Sequence, residues 1–207
     1  MKTMYRWLFS ILIIYTLLIL WTEWQYGQAV VRFFLTDVKC NKLDLPFSTP
    51  FYAVNTIFST FFLWATALLF GLCLLFVNKQ EESKEYWFCL SQMLLFIYLG
   101  FDEQFLLHER IGEWLGRNDA YLLLGLGIVE IGLLWTLGQI FQRTAKIRRF
   151  LLIAAVFFGC MFLIDAFLPS KLLFRLSLED LSKLWADIFL FLFSFEIFLH
   201  KITAHNK

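Results

Sequence analysis

Apolar residues fall in six long runs, at roughly 6–23, 51–77, 86–107, 120–142, 149–168 and 183–200, with short polar or charged stretches between them. Each run can cross about 30 Å of hydrocarbon as a helix of about 20 residues. The pattern predicts an all-α polytopic transmembrane helical bundle of about six spans, a single integral membrane domain over 1–207 with no repeat or low-complexity tract. The first run follows Lys2 and Arg6, as a signal peptide would. It ends, however, in Trp21-Thr-Glu23-Trp24, an interfacial aromatic belt and not a small-residue cleavage site, so it reads as an uncleaved span. The longest connection, 24–50, closes with Pro46 and Pro50, which suit the start of a second helix at Phe51-Tyr-Ala-Val-Asn55-Thr56.

Composition supports this class. The chain is 60% hydrophobic and 17% charged, whereas a soluble domain is nearer half apolar and a quarter charged. A net charge of +1 without a basic stripe argues against a nucleic-acid partner. The lipid bilayer is the expected partner, with protein partners or a homo-oligomer left open. Cys40, Cys73, Cys89 and Cys160 form no CxxC pair, and three of them sit inside apolar runs, where a thiol behaves as a small hydrophobe.

Lysine and arginine set the orientation. With the N-terminus inside, ten fall on inner segments and eight on outer ones, and the densest basic turn, Arg143-Thr-Ala-Lys-Ile-Arg-Arg149, faces the cytoplasm. An even number of spans puts both termini inside, and the expected location is a bacterial cytoplasmic membrane.

Ionisable residues then gather at one depth. Asp102, Glu103, His108 and Glu109 end the third run, Asn55, Thr56 and Ser59 open the second, and Asp165 closes the fifth. Glu179 and Asp180 precede the sixth run, and Lys183 and Asp187 occupy its first turns. All of these lie in the outer half, with Glu130 deeper, midway along the fourth run, and Glu196 towards the inner side. Ionisable groups inside a bilayer are costly and mark a site by default. At about 100° per residue, Ser91, Tyr98, Asp102 and Glu109 share one helix stripe, while Glu103 and His108 diverge to either side. One unbroken helix cannot aim all four at a point, so the segment unwinds near Gly100 or His108 serves a second contact. On the last helix Lys183 can pair with Glu179 or with Asp187.

The order of these residues resembles an uncharacterised family of bacterial multi-pass membrane proteins. The resemblance runs from about residue 50 to 190. It rests on the hydroxyl-rich Asn55-Thr-Ile-Phe-Ser59-Thr60, the Asp102-Glu103…His108-Glu109 block, Asp165 and the paired acids Glu179-Asp180. Another acid and a glycine are expected one turn after the paired acids, where this chain has Lys183 and Ala186. The resemblance implies a shared site without naming an activity.

Several readings of the site remain open. Asp102, His108 and Glu109 are candidate ligands for a divalent metal ion, a hard or borderline cation suited to carboxylate and imidazole. No His-Glu-x-x-His protease motif is present. Alternatively, Asp102, Glu103, Glu109, Glu130, Asp165, Glu179, Asp180, Asp187, Lys183 and Asn55 line a pocket that holds a proton or ligand. A membrane enzyme acting on a lipid-linked substrate would use paired acids to activate water. The competing account is a structural or assembly protein whose intramembrane charges only pair with each other.

Overall fold

The computed structural model describes residues 2–35, 53–116, 120–169 and 172–205. Its helices are α1 (Lys2–Tyr26), α2 (Gln28–Leu35), α3 (Val54–Leu74), α4 (Ser83–Phe105), α5 (Leu107–Leu115), α6 (Ala120–Thr136), α7 (Ala145–Phe167) and α8 (Arg175–His205). No strand occurs among the described residues.

Contacts at the helix ends fix the directions. Tyr5 at the start of α1 bonds Glu196 near the end of α8, while Glu23 near the end of α1 bonds Ser177 at the start of α8. Those two helices are antiparallel. Asn55 and Ser59 of α3 meet Asp180 and Asp187 of α8, and Phe76 beyond α3 meets Phe198, so α3 runs with α8. α4 opposes them both, with Lys201 bridging to Glu82 at its start and Lys183 to Glu103 near its end. α6 opposes α4 through Gln92–Glu130 and the approach of Phe88 to Gly138 just beyond the end of α6, and α7 opposes α8 through Lys146–Glu196 and Arg175–Asp165. The six long helices therefore alternate in direction along the chain.

The core is centred on α3, α4, α7 and α8, with Leu12 of α1 and Leu134 of α6 joining it. One cluster joins Phe70, Cys73, Phe88, Cys89, Phe96 and Phe193; a second joins Leu12, Ala154, Leu184, Ile188 and Leu192. Gly100 lets α4 pass under Trp64 of α3, since a Cβ there would sit 2.2 Å from the indole. Real Cβ contacts are essentially never that close, so any side chain at position 100 would require the Trp64 indole to move. α2 buries Val31 and Leu35 against Ile19 and Leu181, which makes part of the expected 24–50 connection a packed helix.

Burial is inverted relative to a soluble protein. Glu23, Asn55, Ser59, Thr66, Gln92, Asp102, Glu103, Ser177 and Ser194 are buried, whereas Trp7, Ile11, Leu68, Ile128, Ile131, Leu152 and Val156 are exposed. Extended apolar outer faces of this kind are what helices in contact with lipid present. By length and composition Tyr5–Tyr26, Val54–Leu74 and Ala145–Phe167 can each cross a membrane; Tyr121–Thr136 is apolar but shorter. α4 and α8 fall short of that apolarity because they carry charged and polar residues, whose partners lie on neighbouring helices.

The observed elements shift several expected bounds. The third run is divided at Leu106 into α4 and α5, and the fourth ends at Thr136 with a separate 3-10 turn, Ile140–Gln142. The sixth helix starts at Arg175, not near 183, so Glu179 and Asp180 lie within its first two turns. Glu82 and Glu85, between the second and third apolar runs, bond Lys201 and Arg143 at the α4 N-terminus.

Candidate functional site

The site begins at the break between α4 and α5. Leu106 takes a left-handed conformation (φ 54°) while its N–H still bonds the Asp102 carbonyl at 2.7 Å. The chain then starts a new helix, whose exposed backbone N–H groups need acceptors. Asp102 supplies one: its Oδ1 accepts the His108 backbone N–H at 2.7 Å, and its Oδ2 meets His108 Nδ1 at 2.7 Å. Both side chains are buried. The unwinding anticipated near Gly100 thus falls at Leu106, and it turns His108 from the far side of the helix onto Asp102.

Deeper in the bundle, Glu103 of α4 receives Lys183 Nζ of α8 at 2.5 Å. Lys183 therefore reaches across to α4 in preference to forming an ion pair with Glu179. Asp187, one turn further along α8, accepts the Ser59 hydroxyl of α3 and lies within Coulombic range of Glu103 and Lys183. Asn55 donates Nδ2 to the Asp180 carbonyl at 3.1 Å, and the Tyr15 hydroxyl of α1 approaches Asn55 Oδ1 at 3.5 Å. α1, α3, α4 and α8 thus share one polar layer.

A second group ties α7 to α8. Arg175 donates to Asp165 Oδ1 at 2.9 Å and to the Asp165 carbonyl at 3.2 Å, and pairs with Glu179 one turn on at 3.2 Å. Beside it Glu23, with no exposed surface, accepts the Phe174 N–H at 3.0 Å and the Ser177 hydroxyl. That carboxylate caps the N-terminus of α8, where negative charge is favoured by the helix dipole. Glu130 stands apart: its Oε2 accepts Gln92 Nε2 at 2.7 Å, at mid-length of α4 and α6.

The expected site residues are therefore distributed over the interfaces α4–α5 (Asp102, His108), α4–α8 (Glu103, Lys183), α3–α8 (Asn55, Asp180, Asp187), α7–α8 (Asp165, Glu179) and α4–α6 (Glu130). Glu109 lies in α5, but its side chain is outside the described residues. Among the described residues no three His, Cys, Asp or Glu side chains gather as a metal-ligand set. A recess of about 190 Å³ opens at the other end of the bundle, lined by Glu85, Gln139, Gln142, Arg143, Thr144, Ile147 and His200.

Sequence reasoning missed Glu23, Arg175 and Gln92. Glu23 had a signal, a carboxylate ending the first apolar run, but it was assigned to the aromatic belt. Arg175 lies between the fifth and sixth apolar runs, where a cation carries no signal of a helix start. Gln92, uncharged, has no such signature in an apolar run.

The chain belongs to the family described as Domain of unknown function (DUF8692), which matches residues 6–197. No curated protein and no solved structure matches it.

Proposed function

We propose that this family member is a six-crossing protein of a bacterial cytoplasmic membrane, termini inside, that serves as a structural or assembly component. On this reading its outer-half charges pair with one another and lock the bundle. The carrying observation is that Glu103, Asp165 and Glu179 each meet a cation from their own chain, Lys183 or Arg175. Asp187 and Glu23 are met by hydroxyls. A transport path needs polar groups continuing from one face to the other, and a catalytic centre needs groups aimed at a common point. Groups committed to neighbouring helices instead hold those helices in register. The six crossings rest on the alternating helix directions. α4, with 23 residues, is about 35 Å long, enough for the hydrocarbon layer.

A double-mutant cycle on Glu103 and Lys183 tests this. Removing one partner leaves a buried charge uncompensated, at a cost of about 3–5 kcal/mol, whereas removing both is much milder. Glu103→Gln and Lys183→Met should each lower the thermal midpoint in detergent, and the double variant should recover most of the loss. Additive losses would remove the pairing argument.

A second reading rests on the Asp102–His108 contact. A carboxylate on Nδ1 fixes the tautomer and raises the basicity of Nε2, the arrangement used to present imidazole to a metal ion or an exchangeable proton. Elemental analysis of the purified protein, with Asp102→Ala and His108→Ala alongside, tests it. A stoichiometric divalent metal lost from both variants would favour this reading; a metal-free wild type would end the ligand idea.

A further inference from the structure

We propose that Glu130 is a proton-binding site. Its carboxyl is held in the neutral acid form by Gln92, and the two side chains close an acid–amide pair that latches α6 to α4.

Hydrogen-bond bookkeeping carries this. Gln92 is 0% exposed and donates Nε2 to Glu130 Oε2 at 2.7 Å. Two atoms of the same pair, Gln92 Oε1 and Glu130 Oε1, are then buried without a hydrogen-bond partner. Buried polar atoms are nearly always satisfied, and each exception costs about 1–3 kcal/mol. Both orphans are acceptors on the two planar groups that this bond joins. A single proton on Glu130 Oε1 turns that atom into a donor, and the acceptor left over on the partner group is Gln92 Oε1. One proton therefore satisfies both atoms, giving N–H···O and O–H···O bonds side by side. An ionised carboxylate would leave both unmet.

The surroundings supply no alternative. α6 from Ala120 to Thr136 carries no other Asp, Glu, Lys, Arg or His, and neither does α4 from Tyr86 to Phe101 nor α7 from Phe150 to Ile164. The other titratable groups in those stretches are the hydroxyls of Tyr86, Tyr98 and Tyr121 and the thiols of Cys89 and Cys160. His108, Arg110 and Glu113 belong to α5 and Arg143 follows the 3-10 turn, at the two ends of α6. Close approach is built in on both sides. A Cβ at Gly138 would lie 2.8 Å from Phe88 of α4, and one at Gly127 would lie 3.3 Å from Phe158 of α7. The outer face of α6 (Ile128, Val129, Ile131, Trp135) is exposed and apolar, so the neutral pair sits behind a lipid-facing wall. The inference does not depend on the outer-half network, which lies on other interfaces.

Infrared difference spectroscopy in lipid at neutral pH tests it. Wild type minus Glu130→Gln should contain a protonated-carboxyl C=O band, and Gln92→Leu should shift that band by removing its acceptor. Carboxylate bands in its place, or a protonated band unmoved by Gln92→Leu, would overturn the proposal. Should Glu130→Gln fail to accumulate, dicyclohexylcarbodiimide on the wild type decides, because it adds only to a protonated carboxyl within an apolar region. Mass spectrometry should find the adduct on the peptide containing Glu130; an unmodified peptide counts against the site.

Discussion

A carboxylate in this protein takes its role from the atoms it meets, and sequence position alone conveys that poorly. Asp102 and Glu103 are neighbours on one helix, yet Asp102 turns to the backbone and ring of His108 while Glu103 crosses to Lys183. Glu23 is the clearest case, since its two oxygens accept the Phe174 N–H and the Ser177 hydroxyl at the start of α8. Glu23→Leu removes both acceptors and leaves the Phe174 N–H and the Ser177 hydroxyl unmet. The expected cost is about 1–3 kcal/mol, read as a lower thermal midpoint in detergent. In a Ser177→Ala background the same change should cost less, because one unmet donor is gone. An equal loss in both backgrounds would mean that Glu23 does not act through this cap.

At the scale of elements, periodicity and length carried much of the fold, and particular contacts carried the rest. The apolar runs locate all six long helices because a run of that length has few other solutions. Their ends depended on local chemistry that hydropathy does not register. Leu106 adopts a left-handed turn although leucine disfavours it, and the Asp102 cap on α5 supports that conformation. A 3.6-residue wheel drawn through that break set His108 away from Asp102, whereas the break brings the two into contact. The start of α8 at Arg175 was hidden because Arg175, Glu179 and Asp180 read as loop residues, although an arginine and a glutamate four apart also form a helical pair. Part of the candidate site was legible as well: the cost of burying charge identified Asp102, Glu103, Asp165 and Asp187 as residues needing partners. Which partner each takes depends on how α8 packs, and from there Lys183 reaches Glu103 of α4.

For the whole molecule, alternating helix directions and ion pairs at both ends define two faces. One end gathers Glu82, Glu85, Arg143, Lys146, Glu196 and Lys201, the other Glu23, Asp102, Glu103, Asp165 and Arg175. The first also holds the N-terminal residues of α1, the end of α8 and the exposed Arg148 and Arg149. Basic residues in short loops are retained on the cytoplasmic side, so this end should face inward. That assignment is open to direct measurement. Single cysteines at Arg149 and at Trp114, both on exposed positions at opposite ends, would be introduced into a variant whose native cysteines are replaced by serine or alanine. A membrane-impermeant maleimide applied to intact cells should label the Trp114 position and leave the Arg149 position unlabelled until the membrane is opened. Labelling in the reverse order would invert the bundle and move the Asp102–His108 contact to the cytoplasmic half. Labelling of both from outside would mean that fewer helices cross the membrane, and would make α4 and α8 the first to reconsider, because neither is among the helices apolar enough by composition to cross.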